Sequence, residues 1–236
     1  MPDDWRSRIQ QSLRSRCGHA PESLMQPEKK LQVPLLREAA EVETFGQPFS
    51  VDCVNWPADF PFAPSCAGHI GHTSDALVVN FRVSGPDLRA VNLSDDGRSW
   101  EDSACECFVQ VPGSNEYYNF EVNPAGFLVA AHGPDVHHRT SIGPEAFARI
   151  RRICRVEGIG PITKPIEFRG GCWKWSVTLV IPWDIIGLNA APGVLYGNFY
   201  KCGDKTAHPH FLSWAPIASP APSFHLPEFF GELDFI

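Results

Sequence analysis

The residue types best suited to chemistry gather in two places. Around 100–108 the chain reads Trp-Glu-Asp-Ser-Ala-Cys-Glu-Cys-Phe. Trp100 stands at the entry to an apolar run, and Glu106 lies inside it. If 104–111 is a strand, Glu106 and Phe108 share one face, while Cys105, Cys107 and Val109 take the other. The next run, 116–122, repeats the logic. Tyr117, Asn119, Glu121 and then Asn123 share one face, and Tyr118, Phe120 and Val122 share the other. One sheet face can therefore display Glu106, Asn119, Glu121 and Asn123 together. Carboxylates and amides held this way hydrogen-bond hydroxyl groups in fixed directions. Glu106 and Glu121 across a pocket would also suit an acid/base pair. The second place is the C-terminal third, where Lys201, Asp204, His208, His210, Trp214 and His225 fall in mostly non-regular chain. Loops rich in polar and aromatic groups are frequent sites.

The elements that must hold these residues read as short strands. Alternating or β-branched runs occur at 76–83, 104–111, 116–122, 127–131, 172–181, 194–201 and 232–236. Turn residues such as Pro112-Gly113, Asn123-Pro124 and Gly170-Gly171 bound them. Residues 182–187 read as one helical turn stopped by Gly187. The expected fold is all-β: a two-layer antiparallel β-sandwich or jelly roll over 35–236. Residues 1–34 read as an N-terminal arm. Its segment 3–16 predicts a short amphipathic helix, with Trp5, Ile9 and Leu13 on one stripe. Trp173 and Trp175 share a strand face and are expected in the core, as are Trp56 and Trp183 beside prolines.

Composition limits the function classes. The 236 residues are 43% hydrophobic, with 22 Pro, 19 Gly and 2 Met, which suits a folded, turn-rich β protein. The formal charge of −7 comes without a basic stripe, which argues against nucleic acid. The run Arg149, Arg151, Arg152 and Arg155 reads as a solvated face. No run is long enough to span a membrane. The N-terminal residues lack a signal-peptide pattern, so the chain reads as cytoplasmic as written, or secreted if a signal was removed. Several of the eight cysteines lie in apolar strand-like runs, so mostly reduced thiols are expected. Cys66, His69 and His72 have metal-ligand types but no second pair at zinc-finger distance. His208, His210 and His225 lack the acidic partner that a metal cluster of this kind needs. No Met or His pair stands out as axial haem ligands.

Several stretches together carry a family resemblance: 100–106, 118–123, Asn198-Phe-Tyr-Lys-Cys-Gly-Asp204, Ser213-Trp214, and 224–231, Phe-His-Leu-Pro-Glu-Phe-Phe-Gly. In this order, from about residue 45 to the C-terminus, the chain resembles the family 9-like carbohydrate-binding domains. The resemblance implies a β-sandwich in which two aromatic side chains clamp a sugar ring. It implies Trp100 and Trp214 as the clamp, and Glu106 as a carboxylate on sugar hydroxyls. Glu121 and Asn123 fall where the sugar-binding modules place an Arg and an Asn, so Glu121 reverses the polarity there. Lys201, Asp204, His210 and His225 are expected nearby. No cofactor is expected beyond a structural calcium, which the resemblance implies and for which Asp95, Asp96 and Asp102 could supply oxygens. The expected partner is a small-molecule or oligosaccharide ligand. The first reading is a binding module; the second is an enzyme on the same sandwich, using Glu106 and Glu121.

Overall fold

The computed structural model describes residues 29–236. The expected helix at 3–16, with Trp5, Ile9 and Leu13, lies outside the described residues. So does Cys17.

The described residues begin with β1 (Lys30–Val33), then a 3-10 turn, Ala39–Glu41, and helix α1 (Val42–Phe45). Five strands follow: β2 (Gln47–Ser50), β3 (Cys53–Val54), β4 (Ser65–His72), β5 (Ala76–Gly85) and β6 (Leu88–Ala90). A 3-10 turn at Ser99–Glu101 leads into β7 (Ala104–Gln110), β8 (Tyr117–Val122), β9 (Leu128–Gly133) and β10 (Thr140–Ser141). Helix α2 (Gly143–Arg149) separates these from β11 (Arg151–Val156), β12 (Ile166–Phe168) and β13 (Trp173–Pro182). The last strands are β14 (Val194–Cys202), β15 (Phe211–Ser213) and β16 (Gly231–Phe235).

These strands make an all-β sandwich. One sheet has nine strands along the path β1-β16-β14-β7-β8-β9-β10, with β15 on β14 and β3 on β15. The other has five, β11-β13-β5-β4-β2, and β6 pairs β12 at the side. Pairing is antiparallel except between β1 and β16, which run parallel. The sandwich therefore begins before residue 35, because β1 lies within the segment read from sequence as an arm. The two α-helices among the described residues are short, and none is long and apolar enough to cross a membrane.

Period-2 alternation decides which side chains meet. Cys105, Cys107, Val109, Phe120 and Val122 face Phe81, Val177 and Leu179 of the other sheet in the main core. Trp175 and Trp183 join that core, and Trp173 stacks on Phe168 at 4.5 Å. The opposite face of the nine-stranded sheet is not open to water. Phe108, Tyr117, Tyr200 and Cys202 from the sheet pack there with Trp56, Phe211, Phe224 and Phe230. This second apolar cluster lies outside the sandwich and surrounds the polar face anticipated from sequence.

A buried carboxylate pair as candidate functional site

Glu106 stands directly opposite Glu121 in the β7–β8 ladder. Both belong to the face carrying Phe108 and Tyr117, and each is only 3% exposed. Side chains opposite each other on neighbouring strands lie close enough to interact, so two carboxyls meet in an apolar surround. Hydrogen-bonding and charged neighbours offset this cost. The Cys202 thiol donates to Glu106 Oε1 at 3.0 Å, and Asn119 Nδ2 donates to Glu121 Oε1 at 3.0 Å. Arg139 Nη1 lies 3.7 Å from Glu121 Oε1. Burial, and then the neighbouring Glu121 charge, push the Glu106 carboxyl well above the usual carboxylate range. Burial and the nearby Glu106 charge likewise push the Cys202 thiol up, so it remains an S–H donor.

Three local devices assemble the surroundings. The 3-10 turn at Ser99–Glu101 places Trp100, half-buried, beside the outer cluster. Its carbonyl accepts from Cys202 Sγ at 3.6 Å and from the Asp204 backbone N–H at 3.3 Å, which ties the turn to the end of β14. Arg139 arrives from the 134–139 loop. There Asp135 accepts the backbone N–H groups of His137 and His138. Gly133 allows that loop to lie close: a Cβ there would collide with the His138 carbonyl and sit 2.9 Å from Arg139 Cα. From the C-terminal segment, His225 lies tilted against Phe108, with ring centroids 5.0 Å apart, and its Nδ1 bonds the Tyr117 hydroxyl at 2.8 Å.

The structure thus brings together Trp100, Glu106, Asn119, Glu121 and His225, and adds Arg139 and Tyr117. Arg139 carries no sequence signal, because it comes from a loop and reaches the site only through tertiary packing. Asp204 lies next to the Trp100 turn through its backbone.

Four expected members stand elsewhere or are already engaged. Trp214 is 3% exposed and belongs to the core between the sheets, with its ring 5.5 Å from Phe199. It is on the far side of the nine-stranded sheet from Trp100, so the two do not form a clamp. Asn123 is fully buried: Nδ2 donates to Asn92 O and Asp102 Oδ2, and Oδ1 accepts the N–H groups of Ala125 and Phe127. It closes a turn and has no capacity left for a ligand. Lys201 pairs in register with Cys105 and so faces away from the carboxylates. Its ammonium donates to Cys202 O at 2.5 Å and to His210 Nε2 at 2.9 Å. His210 Nδ1 donates to His208 O at 2.7 Å, which fixes the tautomer, and burial beside Lys201 holds this imidazole neutral, its pKa well below normal.

Two of the three aspartates considered for calcium, Asp102 and Asp95, are held by donors of the protein itself. Asp102 accepts from the Val91 and Asn92 N–H groups and from Asn123, with Arg89 at 3.4 Å. Asp95 accepts from Leu128 N–H and from Arg152 at 2.5 Å. The cited oxygens already face amide and guanidinium donors, a poor fit to a hard cation. Among the described residues no group of three or more His, Cys, Asp or Glu is placed to hold a metal ion. His208, His210 and His225 go to Asp87, Lys201 and Tyr117 respectively.

Two grooves lie on other surfaces. One, of about 590 Å³, is lined by Arg152, Cys154, Ile159 and Ile162. The other, of about 470 Å³, is lined by Arg82, Arg155, Lys174 and Trp175. Neither reaches the carboxylate pair.

A sandwich with a polar, hydrogen-bonding sheet face and an aromatic ring at its edge defines a class of small-ligand-binding β modules. The sequence profile of carbohydrate-binding family 9 matches residues 33–235, and the chain belongs to that family. A structure from Bacteroides uniformis ATCC 8492, assigned a carbohydrate-binding role, is 34% identical with a TM-score of 0.80, covering 88% of this chain and 99% of that one. Two structures of a family 9 carbohydrate-binding module from Caldicellulosiruptor kristjanssonii share the fold. One, in complex with glucose, is 12% identical with a TM-score of 0.56, covering 88% of this chain and 96% of that one. The other, in complex with cellotriose, is 11% identical with a TM-score of 0.53, covering 88% and 93%. No curated protein matches the chain.

Proposed function

We propose that this protein binds a mono- or oligosaccharide on the outer face of the nine-stranded sheet, where Trp100, Glu106, Asn119, Glu121 and Arg139 meet. The observation that carries the reading is the Glu106–Glu121 pair. Two carboxyls in an apolar surround are costly to fold, and here they lie on the side of the sheet away from the core, beside an aromatic ring. Family membership supports the same ligand class. Trp100 offers an apolar face for the C–H side of a pyranose. The carboxyls, the amide and the guanidinium offer acceptors and donors for its hydroxyls. A single aromatic face replaces the clamp expected from sequence, because Trp214 is committed to the core.

Calorimetry against a panel of sugars tests the reading. Binding should occur in the wild type and weaken by about 1–3 kcal/mol in Trp100→Ala, through lost contact area. A panel with no binder overturns it. Product analysis of long incubations separates binding from catalysis: oligosaccharide cleavage that disappears in Glu106→Gln would make the enzyme reading the correct one.

A further inference from the structure

We propose a second ligand site, on the outer face of the five-stranded sheet, for an acidic oligosaccharide held through its carboxylates by Arg82 and Arg155. It goes beyond the reading above, because it lies on the other sheet and takes a charged ligand. Strand register builds it. Ala67 of β4, Arg82 of β5, Ser176 of β13 and Arg155 of β11 stand in one row across the sheet. Ser65, Ser84 and Lys174 form the next row, and the Glu157 N–H, just past β11, donates to the Lys174 carbonyl. In the first row short and long side chains alternate. The short ones leave a floor and the long ones border it, which makes the groove of about 470 Å³. That is room for a small ligand. Strands lie about 4.8 Å apart, so Arg82 and Arg155, with Ser176 between them, rise from backbones about 10 Å apart.

Charge selects the occupant. Arg89, Arg98, Arg139, Arg149, Arg152 and Arg169 each meet a carboxylate. Arg82 and Arg155 are exposed, and neither has a carboxylate or hydrogen-bond partner among the described residues. The groove lining carries three cations, Arg82, Arg155 and Lys174, against one carboxylate, Glu157, which lies 3.7 Å from Lys174. A guanidinium presents a planar fork that fits a carboxylate with two hydrogen bonds. The hydroxyls of Ser65, Ser84 and Ser176 are suited to the hydroxyls of a sugar. The formal charge of the whole chain, −7, repels a long polyanion. Trp175, the one aromatic in the lining, is 4% exposed and packs in the core, so the groove offers no platform for stacking bases. The groove of about 590 Å³ shares Arg155 and Val156 with this one, so a ligand of several rings can continue past Arg155 towards Ile159 and Ile162.

The test is calorimetry on the whole chain with the trimers of galacturonate, guluronate and mannuronate, each beside its methyl ester, and with inorganic sulfate, all at one pH and ionic strength. At least one trimer should bind about 10-fold or more tighter than its ester, which keeps the shape and loses the charge. Arg82→Gln and Arg155→Gln should each weaken that trimer by about 10-fold. Arg37→Gln removes an equally exposed charge outside the groove and should change affinity less than about two-fold. The ester comparison needs no variant, so the test survives one that fails to fold. Trimers that bind no tighter than their esters overturn the proposal. So does a trimer that keeps full affinity for both groove variants, or one weakened as much by Arg37→Gln. Sulfate binding as tightly as the best trimer overturns the oligosaccharide and leaves a bare oxyanion site.

Discussion

Glu106 lies directly across the β7–β8 ladder from Glu121, on the face of the sheet turned away from the sandwich core. The pair ties the stability of the fold to pH in a definite direction. Burial and the Glu121 charge raise the folded Glu106 pKa above its unfolded value of about 4.3. The unfolded chain therefore ionises first, and the folded chain holds more protons in the interval between. The stabilising contribution is present below the unfolded pKa and is lost as pH rises through the folded one. Wild type should fall behind Glu106→Gln by up to about 1.4 kcal/mol per pH unit over that interval. Denaturant melts of both proteins from pH 4 to 8 measure it. A gap that stays flat or narrows with rising pH would be the wrong sign.

The two tryptophans should separate into different phenotypes. Trp214 is packed in the core, and a Cβ at Gly231 would run into its ring and sit 2.8 Å from Lys29 O. Trp214→Ala should cost about 3–5 kcal/mol of stability, and Gly231→Ala about 1–3 kcal/mol by overpacking. Trp100, half-buried at the edge of the outer cluster, should lose sugar affinity when truncated while most stability remains. Chemical denaturation alongside calorimetry checks this, and a Trp214→Ala protein of wild-type stability would refute the placement.

Asn123 should behave as a structural residue. Its amide serves Asp102, Asn92 and the 123–127 turn at once. Asn123→Ala removes the acceptor of the Ala125 and Phe127 N–H groups and the donor to the Asn92 carbonyl, so about 2–3 kcal/mol should be lost. Affinity, measured where the variant is folded, should stay within a few-fold of wild type. A selective loss of sugar binding with stability intact would place Asn123 in the site instead.

The thiols give an independent check of burial. The seven described cysteines are free. Cys172 is exposed, Cys53 and Cys154 are half-buried, and Cys66, Cys105, Cys107 and Cys202 are buried. Burial pushes the Cys154 thiol up to about 12, which suppresses its thiolate. Native maleimide labelling read by mass spectrometry should modify Cys172 first among these seven, with Cys154 lagging. Early modification of Cys105 or Cys202 would contradict the packing.

How much was legible depends on how local each feature is. The parity that puts Glu106 with Phe108, and Asn119 with Glu121, follows from the period of a strand and was readable. That β7 and β8 pair so as to set the two glutamates opposite follows less directly, through the short Pro112-Gly113 turn. The strand β4 was missed because Gly68, Gly71 and two histidines weaken its β signal. Alternation normally marks one wet face. Here aromatic residues near 56 and 211–230 cover that face, which no window of sequence reveals. Trp214 follows a three-residue strand in irregular chain, so parity could not choose its side. Arg139 enters from a loop held by Gly133, a purely tertiary placement.

The most direct test is the indole N–H resonance of Trp100 during a sugar titration. The peak is assigned from Trp100→Phe and followed in two-dimensional NMR, with the Trp214 indole as an internal control for the far side of the sheet. The account predicts that a binding sugar moves the Trp100 peak in a saturable way and leaves the Trp214 peak nearly still. A sugar that binds while the Trp100 peak stays fixed would show that the site lies elsewhere.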